Sequence, residues 1–298
     1  MKRIVFIVVL VLIAGSWGGN LWVYYNSQLP EPLFFKHYIE VENSPGYTFD
    51  LNYLENKSAK VKIQSIRIPE LPNAVVTPIL VQNSYAHQNQ GTMRVQIMDY
   101  DLLQPTFPEN GPLVIHRVEV VFDDNSAKEM EIGEIRVYND FQQGELPLES
   151  MSSGSSSEST GYTRVKFTKD TVITGIFSAF LPGLGDRITV ILEAPSIKHL
   201  DQSEIQFGSE TTYSGVALPQ VPFPLNFKKG DTATLTYKFD LPSNVDAMVK
   251  SEVYRFLLRM ELKLDNGKEA AYPIFVQSDP YLSQREVAAI VKARRSGS

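Results

Sequence analysis

The chain has 298 residues, 43% hydrophobic and 21% charged, an ordinary globular mixture with room for two domains once a membrane segment is set aside. It has no cysteine, which excludes disulfides, thiol nucleophiles, thiolate metal sites and a lipidated cysteine. The formal charge is −6, and Lys2 and Arg3 are the only charges before Glu31, so the remainder carries −8, which disfavours nucleic acid or an anionic surface as a general partner.

From Ile4 to Tyr25 the only polar side chains are Ser16 and Asn20. At about 1.5 Å per residue this run reaches roughly 33 Å, enough to cross a bilayer core. The residues expected in lipid include Ile4, Val8, Val11, Trp17, Trp22 and Tyr25. Aromatic residues crowd the far half and the cationic pair lies on the near side, which predicts a cytoplasmic N-terminus and an extracytoplasmic body. The alternative is a cleaved signal peptide, because Ala14-Gly15-Ser16 offers small residues at a cleavage position and would release a chain beginning at Trp17.

Past the Glu31-Pro32 stalk, Phe35, His37, Ile39 and Val41 alternate with Lys36, Tyr38, Glu40 and Glu42, the period of a half-buried strand. Further strands are predicted over Tyr47 to Tyr53 and Val61 to Ile68, then a long Pro-, Asn-, Gln- and Ser-rich connection over 69–91, a strand through Met93, Val95 and Ile97, and a loop over 104–112. Arg117-Val118-Glu119-Val120-Val121-Phe122-Asp123 matches Arg259-Met260-Glu261-Leu262-Lys263-Leu264-Asp265 as Arg, apolar, Glu, apolar, any, apolar, Asp, 142 residues later. Turn chemistry follows each copy, Asn125-Ser126 and Asn266-Gly267, and then a return strand. The spacing predicts a duplicated antiparallel β-sandwich module, residues 30–147 and 162–277, each copy ending in the same hairpin with its Arg and Glu on the wet face.

Residues 148–161, with their run of serines, are expected to form a flexible linker. Val172 to Gly185, holding Phe177, Phe180, Leu181 and Leu184, is the most apolar stretch after the N-terminal run, either a buried strand and turn or an exposed contact for a partner. Strands are predicted at Ile188 to Leu192 and Thr232 to Leu241, with 195–230 largely loop. Ser283-Gln284-Arg285-Glu286 is a capping-box pattern that opens a short helix within 278–298, whose stripe Val287, Ile290, Val291 is a second candidate contact for another envelope protein.

No sequence motif for a catalytic centre, a cofactor or a metal ion stands out. His37, His87, His116 and His199 lack ligand spacing, and His37 and His116 share the parity of apolar neighbours, as hydrogen-bonded core histidines would. Asp99-Tyr100-Asp101 and Asp123-Asp124 are the oxygen-rich turns that calcium could use. The strand pattern resembles that of immunoglobulin-like modules, which implies an all-β fold after the N-terminal helix. A membrane-anchored, non-catalytic binding module of the cell envelope is the expectation; the alternative is an anchored or secreted hydrolase that uses Asp and Glu carboxylates on an envelope polymer.

Overall fold

The computed structural model describes residues 2–98, 105–109, 111–139, 146–209, 211–241, 246–264 and 267–296, without the side chains of 2–5 and 80–82. It opens with one helix, α1 (Lys2–Asn26), and continues through β1 (Leu33–Phe34), β2 (His37–Glu42), β3 (Thr48–Asn56), β4 (Ile63–Arg67), β5 (Ala74–Ser84), β6 (Gln88–Ile97), β7 (Leu113–Phe122) and β8 (Ala127–Tyr138). The second half runs β9 (Leu148–Ser155), β10 (Thr160–Phe167), β11 (Thr171–Phe177), α2 (Leu181–Leu184), β12 (Ile188–Glu193), β13 (Ser203–Phe207), β14 (Thr211–Ala217), β15 (Leu225–Phe227) and β16 (Thr232–Phe239). It closes with α3 (Ala247–Lys250), β17 (Val253–Lys263), β18 (Glu269–Ser278) and α4 (Gln284–Ser296).

These strands form one long sheet and two smaller ones. The long sheet runs β15-β11-β17-β2-β8-β7-β4, with β18 also paired to β17. The strand order β1-β3-β6-β5 covers its first half, and β13-β14-β12-β16-β10-β9 covers its second. Between the sheets of the first lobe lie Phe49, Leu51, Met93 and Val95 against Ile39, Val118, Val120 and Ile135. The second lobe encloses Phe167, Leu192, Leu235 and Phe239 against Ile173, Phe256, Leu258 and Met260. The structure is therefore a β-sandwich protein whose apolar alternation was visible in the sequence.

The strand β2 joins the two lobes. It pairs in parallel with β8, from His37 opposite Gly133 to Glu42 opposite Tyr138, and in parallel with β17, from His37 opposite Val253 to Ile39 opposite Arg255. These parallel ladders depart from the purely antiparallel sheets expected from alternation. A Cβ on Gly133, whose φ is +96°, would stand 2.4 Å from the His37 carbonyl oxygen, so only glycine lets β8 approach β2 this closely. Because β18 lies along one edge of β17, the other edge is shared, with 253–255 on β2 and 259–263 on β11. The sheet thus forks at residues 256–258.

The repeated hairpins match in detail. In β7–β8 the amide of Phe122 donates to Ser126 O and that of Asn125 to Phe122 O; in β17–β18 Leu264 donates to Lys268 O and Gly267 to Leu264 O. Asn125 and Gly267 both take left-handed backbone, φ 64° and 76°, the position that closes a three-residue hairpin loop.

Three segments depart from expectation. Residues 148–155 of the predicted linker form β9, which pairs with β10 from Leu148 opposite Phe167 to Ser155 opposite Gly161. Its serines need no buried face, because β9 is an edge strand held by its backbone ladder. The predicted connection over 69–91 contains β5 and the start of β6, whose polar residues are tied internally, Asn83 Nδ2 to Gln90 Oε1 at 3.2 Å and Ser84 Oγ to Asn89 Oδ1 at 3.1 Å. The stretch 195–230 holds β13, β14 and β15 rather than mostly loop.

Candidate functional site

Two places concentrate unusual geometry: the base of α1 and the fork of the long sheet. The segment Phe6–Asn26 is the one described helix long and apolar enough to cross a membrane, and none of it is buried against the chain. Val8, Val11, Trp17, Trp22 and Tyr25 are all exposed, while the side chain of Ile4 lies outside the described set. The last turn of α1 leaves carbonyls that a helix cannot satisfy by itself. Ser27 Oγ donates to Val23 O at 2.7 Å, and Arg295 Nη1 at the end of α4 donates to Tyr25 O at 2.8 Å and Gln28 O at 3.1 Å. A cation there also suits the negative end of the helix dipole. Asn56 then meets both backbone groups of Leu29, accepting from its N–H at 2.9 Å and donating to its carbonyl at 2.7 Å, and the Tyr24 ring stands edge-on to His87 at 6.0 Å.

The helix α4 is held by the capping box that its sequence announced. Ser283 N–H and Oγ–H both donate to Glu286 Oε2 at 2.8 Å, and Glu286 N–H donates to Ser283 Oγ at 3.3 Å. Lys250 and these Ser283 donors hold the Glu286 carboxyl down at about 2. The stripe Val287, Ile290 and Val291, proposed above as a partner contact, is 0%, 0% and 2% exposed. It packs on Leu29, Leu33, Phe35, Leu54, Val253 and Leu282, so its apolar face is used inside the chain to lock α4 beside the base of α1.

At the fork, Glu40 of β2 is 1% exposed although its parity on the strand is that of Lys36 and Glu42. A central strand is covered on both faces, and Glu40 supplies what the fork lacks. Its Oε2 accepts the amide of Leu257 at 2.9 Å, and its Oε1 accepts the Tyr138 hydroxyl at 2.8 Å and faces Arg259 Nη2 at 3.5 Å. The Arg259 guanidinium lies over the Tyr138 ring, 4.0 Å from its centre. Burial first, and Glu40 second, raise the Tyr138 hydroxyl above its ordinary value. Beside this group opens a cleft of about 450 Å³ lined by Leu146, Leu257, Leu262, Ala271, Pro273 and Tyr47, with Glu42, Glu261 and Glu269 among its polar walls. The two arginines of the internal repeat therefore do different things. Arg117 stays wet and pairs across the hairpin with Glu129 and Glu131 at 3.5 and 3.6 Å, whereas Arg259 closes the seam between lobes. The sequence singled out Arg259 through the repeat, but nothing in it marked Glu40.

The candidate contact in the second half divides. Phe177 is 55% exposed, its ring lying over Gly175. Phe180 and Leu184 are buried, and Leu181 packs partly against the same core. Phe180 meets Tyr38 at 5.6 Å and Phe256 at 5.7 Å, with Arg136 over its other side at 5.5 Å, so it too sits in the seam. Behind it, Glu252 accepts from Arg187 at 2.8 Å and from the Tyr254 hydroxyl.

His37 is a core histidine, donating from Nδ1 to Ile132 O at 3.0 Å and accepting the Asn52 amide at Nε2, 2.9 Å away. His116 is not; it is exposed and its Nδ1 meets Gly133 O at 2.9 Å. Asp123 and Asp124 serve turns, accepting from the Lys62 and Ser126 amides, and Asp99-Tyr100-Asp101 lies outside the described residues. Among the described residues no group of three or more His, Asp or Glu side chains is arranged to hold a metal ion.

No protein-family model matches the chain, and no curated protein is similar to it at a significant level. A solved structure of fibronectin(III)-like modules of Clostridium thermocellum CbhA aligns with 85% of this chain and 93% of its own at 6% identity, with a TM-score of 0.18, too low to bear on fold or function.

Proposed function

We propose that the chain is a single-pass membrane protein, N-terminus cytoplasmic and body extracytoplasmic, whose two immunoglobulin-like lobes, joined by one shared sheet, act together as a non-catalytic binding module of the cell envelope. The observation that carries this is the uncovered apolar helix Phe6–Asn26, whose end is bonded to the folded β-sandwich body through Arg295 and the carbonyls of Tyr25 and Gln28. Trp22, Tyr24 and Tyr25 at the body end suit the membrane-water boundary. The exposed Phe177 and the cleft beside Arg259 are the surfaces offered to another envelope protein.

Because the chain has no cysteine, a single Ser157→Cys in the turn between β9 and β10 reports topology alone. The expected result is labelling of intact cells by a membrane-impermeant maleimide, with the protein retained in carbonate-washed membranes. Labelling only after permeabilisation would put the body in the cytoplasm, and a soluble chain beginning at Trp17 would replace the anchor by a signal peptide. Hydrolysis of an envelope polymer by the purified protein, lost when one Asp or Glu is changed to its amide, would overturn the non-catalytic role.

A further inference from the structure

The body carries a formal −8, yet five exposed cationic side chains from distant parts of the sequence gather around the base of α1, while Glu31, Glu70, Glu129 and Glu131 line the cleft that Arg294 borders. From the turn after β3 come Lys57 and Lys60. That turn is fixed beside the helix exit, since Ser58 Oγ donates to Gln28 Oε1 at 2.9 Å and the Lys57 amide to His87 O at 2.9 Å. From the end of α4 come Lys292, Arg294 and Arg295, the last bonded to the carbonyls of Tyr25 and Gln28. All five side chains are exposed. Glu31 stands among them, with its carboxyl held below the ordinary value by Lys128 first and by Arg294, 3.4 Å away.

We propose that this collar seats on the anionic phospholipid headgroups of the bilayer that α1 crosses, an inference that rests on the membrane-anchored reading. Arg295 Nη1 lies 2.8 Å from the carbonyl of Tyr25, and Trp22, Tyr24 and Tyr25 are the residues that mark a membrane boundary. Whatever depth Tyr25 takes, the end of α4 shares it, and the buried stripe on Leu29 and Phe35 keeps α4 from swinging away. Basic residues at such a surface each favour an anionic leaflet by roughly fivefold. The acidic remainder of the body is repelled by the same surface, so the charge asymmetry also holds the body upright.

The test uses the full chain in nanodiscs with a donor dye on Ser296→Cys, the only thiol, and energy transfer to tail-labelled phosphatidylglycerol or tail-labelled phosphatidylcholine. Transfer to the anionic lipid should exceed transfer to the zwitterionic one by about twofold or more. The variant K57Q/K60Q/K292Q/R294Q should equalise the two while melting like the parent; Arg295 is kept because it also holds α1. Equal transfer in the parent chain, inserted in the disc, would overturn the collar and leave the anchor intact. A chain that does not enter the disc overturns the anchor itself, and the collar with it.

Discussion

Both hydrogen bonds of His37 require the neutral ring with its proton on Nδ1, since Nε2 must accept the Asn52 amide. Burial, the largest cause, lowers its pKa from 6.5 to about 4. Above pH 6.5 neither folded nor unfolded chain holds the proton; between 6.5 and 4 mainly the unfolded chain does; below 4 both do. Stability contributed by this residue is therefore complete above 6.5, falls as pH drops through the window and levels off below 4, about 3 kcal/mol in all. Denaturant melts across that window should be less pH-dependent in His37→Asn than in the parent, and an undiminished slope in the variant would sink the assignment. A second residue-scale contrast separates two phenylalanines that the sequence could not tell apart. Phe180→Ser should cost about 3 kcal/mol or more, in line with large-to-small core changes. Phe177→Ser, at an exposed position, should stay within about 0.5 kcal/mol. Equal melting temperatures for the two variants would contradict the burial of Phe180 and the exposure of Phe177.

At the scale of elements, the strands with an apolar face and the two hairpins were legible because alternation and turn chemistry are local. The Asn125 and Gly267 turns even share their hydrogen bonds. What alternation could not convey is which strands meet far along the chain. Glu40 looked like a wet residue because nothing local says that β2 will be flanked on both edges and buried on both faces. The fork makes a measurable claim about Glu40 and Arg259. Glu40→Gln removes the charge that faces the guanidinium and weakens the acceptor for Leu257 and Tyr138, which should cost about 3 kcal/mol, at the low end for a broken buried pair because Arg259 keeps some contact with water. Arg259→Met alone should cost less, and the double variant should fall short of the sum by about 1–2 kcal/mol. Strict additivity in a double-mutant cycle would mean that the two side chains do not act together.

At the scale of the molecule, the predicted pair of beads on a serine-rich string is replaced by two cores under one continuous sheet. The serine run misled because composition alone reports what a segment can bury, and an edge strand such as β9 needs to bury little: from Glu149 to Ser155 its side chains are mostly exposed while its backbone pairs with β10. Gln277 Nε2 further donates to Ser155 Oγ at 2.7 Å, and the hydroxyls of Ser278 and Ser159 meet at 2.8 Å, tying this hairpin to β18. The lobes are coupled more strongly still by β2, which comes from the first lobe and lies hydrogen-bonded between β8 and β17, with Phe180 and the Glu40–Arg259 pair filling the seam. Separating the lobes would strip β17 of the ladder at 253–255 and leave Glu40 as a buried charge without its partner. Opening one lobe alone is therefore costly, and calorimetry should record a single unfolding transition whose van't Hoff enthalpy equals the calorimetric one. Limited proteolysis should spare the paired residues 149–155 and 160–161 until that transition is reached, since cleavage within a paired strand requires opening it, and a nick in the turn 156–159 should leave the two lobes together. Two resolved transitions, together with early cleavage within 149–155, would restore two independent modules and show that the parallel ladder through β2 contributes little to cohesion.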